Sequence, residues 1–275
     1  MNLIHEAEAR QTDYAAIKQQ CYFNMIDNRQ VDISVIIPVH GRTQFNRILK
    51  FHLLEAILYQ KNSKTVSITF VEHSETPEHQ ELCVNTNYIH IPQNKKPFNK
   101  CLCHNIGALY SNKANYFLFH DIDIMVPEEF FYNITANLIY KDIKALQTFS
   151  GRRILYCDEK LSSRIINGGI NINNLNKYSI GLNAGVVGAE GGSMIIKSNI
   201  FFSIGGFDAD FFTEYSFEDC MFFQKIDFFS KLGFAENPPI ELFHLFHTPS
   251  FNSTVIEEDK DAYYSYRALS ESDKR

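Results

Sequence analysis

The sequence predicts an α/β open sheet, and three observations predict it. The run Ile33-Ser34-Val35-Ile36-Ile37 is nearly unbroken in its apolar, β-branched character and is closed by Pro38. Apolar residues at helical spacing follow it directly, and the same strand-then-helix order returns through the first half of the chain. A strand apolar at almost every position is covered on both faces, as the strands of a parallel sheet are. In such sheets ligands gather outside the carboxyl ends of the strands, so the polar residues at those ends are the ones to follow.

Residues 1–31 are polar, with scattered apolar positions at Ile4, Ala7, Tyr14, Ile17 and Cys21, and read as one or two weak helices leading in. After the strand at 33–37, Gly41 and Thr43 open a helix whose inward positions are Phe45, Ile48, Leu49, Leu53, Ala56 and Ile57. A second strand is expected over 66–71, a third over 88–91 and a helix over 98–110. The apolar Tyr116-Phe117-Leu118-Phe119 then runs straight into His120-Asp121-Ile122-Asp123. A helix at 127–140 and a strand at 145–149 follow. Residues 151–192 are rich in Asn and Gly, which predicts turns and a mobile loop that closes over a ligand. A strand at 193–196, the turn Gly205-Gly206-Phe207-Asp208, a helix over 218–233 and a strand at 240–246 complete the pattern. The expected organisation is a lead-in over 1–30, one main domain over 31–255 and a helical or frayed tail over 256–275.

Composition removes several function classes. With 275 residues, 45% of them hydrophobic, the chain can bury a sizeable core, so wholesale disorder is excluded. A formal net charge of -6 gives no general basic surface, and nucleic acid is not an expected partner. No stretch approaches the roughly 18 apolar residues of a membrane span. The segment MNLIHEAEAR is too polar and acidic for a signal peptide, so the expected compartment is the cytoplasm. The 6 cysteines are scattered, and their one close pair, Cys101 and Cys103, has the spacing of neither a zinc knuckle nor a redox motif.

Three places can carry chemistry. Asp121 and Asp123 stand where an apolar strand ends, and two carboxylates so placed repel unless a cation joins them. A hard divalent ion such as Mn²⁺ or Mg²⁺ takes oxygen ligands and leaves positions for substrate phosphates, though on the motif alone a solvated loop after a strand is the commoner explanation. Glu218 and Asp219 begin an otherwise apolar helix. They either complement its dipole, for about 0.3–1 kcal/mol each, or supply a general base facing a pocket. His244 and His247 flank Leu245-Phe246 late in the chain, where one imidazole can complete a metal site.

Taken in order, the following motifs resemble those of inverting GT-A glycosyltransferases. They are Ile36-Ile37-Pro38-Val39-His40-Gly41-Arg42, Phe98-Asn99-Lys100 with Asn105-Ile106-Gly107, the aspartate pair, Gly191-Gly192-Ser193, and Gly205-Gly206-Phe207-Asp208 with Glu218-Asp219. The nearest likeness is to the β1,4-galactosyltransferase-like group and related bacterial polysaccharide enzymes, over roughly residues 31–250. The resemblance implies the GT-A fold, a Rossmann-like nucleotide-sugar-binding mixed sheet flanked by helices. It implies that Pro38, Val39, His40 and Arg42 hold the uridine end of a UDP-sugar, with Phe98, Asn99 and Lys100 near the base. Glu72 and Asp121 are counted with the same set, and Gly192 lets the chain approach the donor sugar. Asp121 and Asp123 would take Mn²⁺ (or Mg²⁺), Asp123 the more directly, with His244 or His247 completing the set. Glu218 would bind sugar hydroxyls and Asp219 would be the catalytic base. The acceptor implied is a saccharide or a lipid-linked saccharide, with peripheral association at the inner face of a membrane.

The sequence also departs from that group. It contains no tryptophan, and Thr213-Glu214-Tyr215-Ser216-Phe217 stands where the galactosyltransferases carry a tryptophan and glycines before the acidic pair. Two other readings share some features: a non-catalytic nucleotide-sugar-binding protein, and a phosphatase whose nucleophile is the first aspartate of a DxD. The phosphatase pattern expects Thr or Val two positions after the second aspartate, where Met125 stands.

Overall fold

Strand β2 (Val31–Val39) is buried at eight of its nine positions, as its near-continuous apolarity requires. It lies between β3 (Val66–Ser74) and β5 (Ala114–His120), parallel to both, and β4 (Asn87–Pro92) extends the parallel set beyond β3. The computed structural model describes residues 12–26, 29–59, 65–141, 145–147, 154–176, 179–184, 191–210, 217–230 and 240–248. Antiparallel strands flank the parallel four. β1 (Tyr22–Asn24) pairs with β4, while β10 (Ser193–Lys197) pairs with β5 and then with β7 (Ala145–Gln147). The result is a seven-stranded mixed sheet in the order β1-β4-β3-β2-β5-β10-β7.

The alternation of side chains on β2 divides the core in two. Ile33, Val35, Ile37 and Val39 pack with Leu49, Leu53 and Ala56 of helix α2 (Asn46–Tyr59) on one face, after α1 (Tyr14–Gln20) has led in. Ile36 packs with Cys101, Ile106 and Ala108 of α3 (Lys100–Tyr110) on the other. Both faces of the sheet are therefore dry, which accounts for a strand with no polar stripe. Asn99 caps α3, its side-chain oxygen accepting from the Leu102 N–H at 2.8 Å. Asn105 of α3 holds the Gly205–Asp208 turn, donating to the Phe207 carbonyl at 2.8 Å and accepting from its N–H at 2.9 Å.

A second, four-stranded sheet stands beside the carboxyl ends of the first. Its order is β6 (Ile124–Met125), β11 (Phe243–His244), β8 (Leu155–Cys157) and β9 (Leu182–Ala184). Helices α4 (Phe130–Lys141), α5 (Glu159–Ile166), α6 (Ser198–Ser203) and α7 (Glu218–Ser230) complete the described α-helices. No helix among the described residues is long and apolar enough to cross a membrane.

Three expectations need correction. The polar lead-in contains a strand, β1, that belongs to the main sheet. Much of the Asn/Gly-rich segment is regular: β8, α5, a 3₁₀ turn at Ile172–Asn174 and β9 all lie within it. Asp158 caps α5 by accepting from Leu161 N–H at 2.7 Å, and Leu161 and Ile165 bury its inner face, so the local apolar pattern outweighs the composition around it. The strand expected over 240–246 is only the two residues of β11. The strand end at 148–149, the helix end at 231–233, and the tail at 256–275 lie outside the described residues.

Candidate active site

The aspartate turn leaves β5 between two backbone anchors. Asp121 N–H donates to Gly192 O at 2.8 Å, and Ile124 N–H to Asp121 O at 3.3 Å. Beneath the turn His120 is completely buried, with Nε2 2.8 Å from the Ile124 carbonyl and Nδ1 2.8 Å from Ser193 Oγ. A carbonyl only accepts, so Nε2 carries the proton and Nδ1 accepts from the serine hydroxyl. Burial pushes the His120 pKa down and keeps the ring neutral. The residues at 244–247 arrive through the backbone. β11 pairs with β6 in the register His244 to Ile124, and Leu245 N–H donates to Asp123 O at 2.8 Å.

That pairing gathers the carboxylate of Asp123 and the two imidazoles. His247 Nε2 lies 3.1 Å from Asp123 Oδ2 and His244 Nε2 3.7 Å from Oδ1. The potential ligand atoms of the three residues all fall within 4.8 Å of one another. Arg42, in a left-handed conformation at φ 55°, donates from Nη1 to Asp123 Oδ2. Burial alone would raise the Asp123 pKa, but the His247 hydrogen bond and the charges of His244 and Arg42 outweigh it and hold the carboxylate ionised. The hydrogen bond to Asp123 raises His247, whereas burial lowers His244 and leaves it neutral. His244 Nδ1 is buried and makes no hydrogen bond with any of the described residues. One ionised carboxylate with two convergent imidazoles suits a divalent cation, and both expected histidines belong to the group.

Asp121 is directed elsewhere. Its carboxylate receives Lys100 Nζ at 2.9 and 3.0 Å, and the same ammonium lies 3.2 Å from Glu218 Oε1. Lys100 thus ties the end of β5 to the first residue of α7. Lys225 secures the helix further along, donating to Gly206 O at 2.9 Å and Asp208 Oδ1 at 2.6 Å. Burial raises the Glu218 carboxyl to about 7, against the pull of Lys100 and with the repulsion of Asp219. Burial raises Asp219 as well, again opposed by Lys100. Asp219 Oδ1 accepts from Cys220 N–H at 2.7 Å, and its other oxygen lies over Gly191, where a Cβ would stand only 1.9 Å away. Gly192 has φ +91°, and a Cβ there would meet Ile124 Cδ1 at 2.5 Å. The two glycines let β10 start against both the aspartate turn and the start of α7.

Some of the residues that the resemblance assigns to a nucleotide come together. Pro38, His40, Arg42, Phe98, Lys100, Asp121 and Ile122 line one cleft. His40 stacks on Phe98 with centroids 4.9 Å apart and donates or accepts through Nδ1 at the His73 carbonyl, 2.8 Å away; since that carbonyl accepts, Nδ1 donates. Val39, Glu72 and Asn99 do not join this lining. Val39 is fully buried in the core. Glu72 accepts from Ser74 Oγ, Tyr88 Oη, Glu78 N–H at 2.8 Å and His79 N–H at 3.1 Å, which occupies both carboxylate oxygens. Asn99 is spent on its cap and on the Ala209 carbonyl, 2.8 Å away. On the far side of Arg42 and His247 opens a larger pocket of ≈ 600 Å³, walled by Gln44, Phe45 and α5. Two residues with no role assigned from the sequence stand in the site: His120, and Tyr156 of β8, whose ring stacks on His244 at 4.5 Å. His120 is adjacent to the aspartate pair and could be noticed there, whereas nothing in the sequence around Tyr156 marks it.

No family model matches the chain, and no curated protein matches it. Solved structures do. The S. aureus TarS 1-349 structure in complex with UDP-GlcNAc has a TM-score of 0.54 at 14% identity, covering 88% of this chain and 69% of that one. The complex of the same protein with UDP gives 0.53 at 14% identity, and TarS 1-349 itself 0.52 at 13%; each covers 88% of this chain and 68% of that one. At this identity the likeness shows the fold: an α/β mixed sheet flanked by helices, of the GT-A type expected from the motifs.

Proposed function

We propose that the chain is an inverting glycosyltransferase that moves a hexose or N-acetylhexosamine from a UDP-sugar to a saccharide acceptor. One juxtaposition carries the reading: the metal-type group of Asp123, His244 and His247 stands at the same sheet edge as Asp219, which lies over Gly191. The donor class is supported by TarS, which shares the fold and was captured with UDP-GlcNAc and with UDP.

In this reading Phe98, with His40 stacked on it, provides an aromatic wall for the uracil, and Arg42 and Lys100 add positive charge where the diphosphate enters. Asp123, His244 and His247 would hold a divalent cation, and two imidazoles among three donors favour Mn²⁺ over the more strictly oxygen-seeking Mg²⁺. Such an ion supplies Lewis-acid stabilisation of the charge that develops on the leaving diphosphate. Asp219, whose proton affinity burial raises, takes the proton of the acceptor hydroxyl. The acceptor oxygen then bonds the anomeric carbon as the bond to the diphosphate oxygen breaks, and UDP departs with the electron pair. One displacement inverts the centre, so an α-linked donor yields a β-linked product.

The role assigned to this chemistry is polysaccharide synthesis, of capsule or lipopolysaccharide, on saccharide or lipid-linked acceptors at the inner face of a membrane. The test is UDP release from UDP-glucose, UDP-galactose, UDP-GlcNAc and UDP-GalNAc with Mn²⁺, with product anomers read by NMR. Transfer that ceases on chelation, and in Asp219→Asn while UDP still binds, is the expected result. Indifference to both, or release of phosphate from simple phosphomonoesters, overturns the proposal.

A further inference from the structure

Resting on that reading, we propose that Tyr156 is a specificity-determining residue of the site: its ring steadies the His244 imidazole, and its hydroxyl hydrogen-bonds the donor sugar.

The placement follows from a three-residue strand. Leu155 and Cys157 on either side are buried in the core, so strand alternation turns Tyr156 the opposite way. It is 38% exposed there. In the parallel pairing of β8 with β11, Tyr156 stands opposite His244, and the two rings lie nearly parallel, 22° apart, with centroids at 4.5 Å. Two residues earlier Ile154 fills the space that a Cβ on Gly192 would claim at 3.0 Å. β8 thus brings Tyr156 to the metal-type group and Ile154 to the backbone of Gly192.

Chemistry narrows what it can meet there. Its hydroxyl finds no hydrogen-bond partner among the described residues, although the ring is held. An ordinary phenol keeps its proton at neutral pH, so the hydroxyl is a donor as well as an acceptor. In a displacement that starts from Asp219 and ends with the diphosphate leaving, the group between the base and the diphosphate is the sugar. A flat apolar ring with a hydroxyl at its edge suits a saccharide, which presents C–H faces and hydroxyls together. The chain has no tryptophan to serve this purpose.

The experiment compares Tyr156→Phe and Tyr156→Ala with wild type by calorimetric titration. The ligands are Mn²⁺, UDP with Mn²⁺, and whichever of the four UDP-hexoses wild type binds most tightly. Tyr156→Phe keeps the ring, so Mn²⁺ and UDP affinities stay within about twofold while the UDP-hexose affinity falls by up to about tenfold, the scale of one hydrogen bond. Tyr156→Ala shows the same loss and also weakens Mn²⁺ by about tenfold, as loss of a supporting partner does. Unchanged UDP-hexose affinity in Tyr156→Phe, or equal losses for UDP and UDP-hexose, overturns this inference alone. Wild type that binds no UDP-hexose overturns the transferase reading itself.

Discussion

Gly191→Ala tests the position of Asp219 without touching it. A Cβ on residue 191 would stand 1.9 Å from Asp219 Oδ2, 2.9 Å from Cγ and 3.2 Å from Cβ. Real Cβ contacts do not fall below 3.0 Å, so the carboxylate must retreat by about 1.1 Å. Gly191 is not among the glycines with positive φ, so alanine adds no backbone strain of its own. A base misplaced by about 1 Å costs on the order of 100-fold in rate, equivalent to about 2.7 kcal/mol of barrier. The expected outcome is a kcat about 100-fold lower, with KM for the UDP-sugar, UDP affinity and melting temperature close to wild type. The assay is initial-rate UDP release with Mn²⁺, paired with UDP titration and thermal melts. Gly192→Ala is the contrast: at φ +91° and against Ile124, alanine strains the backbone and destabilises by more than about 1 kcal/mol. A Gly191→Ala enzyme with wild-type kcat would refute the placement of the base over Gly191.

Other outcomes follow from the same geometry. Asp123→Asn removes the carboxylate of the metal group, and Mn²⁺ affinity falls by more than the roughly 100-fold that a supporting partner can cost; metal titration measures it. His120→Phe leaves the Ile124 carbonyl without its imidazole donor and removes an acceptor from the Ser193 hydroxyl, lowering stability by about 1–3 kcal/mol in urea denaturation and loosening the aspartate turn. Glu218 sets a pH dependence. Its folded pKa of about 7 lies above the ordinary 4.5, so the folded state keeps a proton that the unfolded chain releases. Stability is therefore greatest below that lower value and falls as pH rises toward the upper one. Glu218→Gln flattens this slope, and urea melts across the interval show whether it does.

Legibility in the sequence followed the length of the element. β2 announces itself by an apolar run long enough to exclude other readings, and β5 by an apolar run that ends on the aspartates. The residues that close the site do not. β6 and β11 have two residues each, too few to carry a period, and their pairing joins segments distant in sequence. That pairing, rather than any motif, sets both His244 and His247 against Asp123. Tyr156 was hidden because β8 is three residues long and lies in a segment whose Asn and Gly content speaks of turns. Glu72 and Asn99 illustrate the opposite difficulty: a polar residue near a strand end or ahead of a helix looks available, yet here one is wrapped by four donors and the other caps a helix.

The short strand β1 has a practical consequence for handling the protein. Its residues Tyr22, Phe23 and Asn24 lie against His90, Ile89 and Tyr88 and so seal the outer side of β4. A truncation beginning at residue 31 would leave those amides and carbonyls open as a template for a neighbouring molecule. Such a shortened chain should self-associate as its concentration rises, even with every residue of the cleft intact.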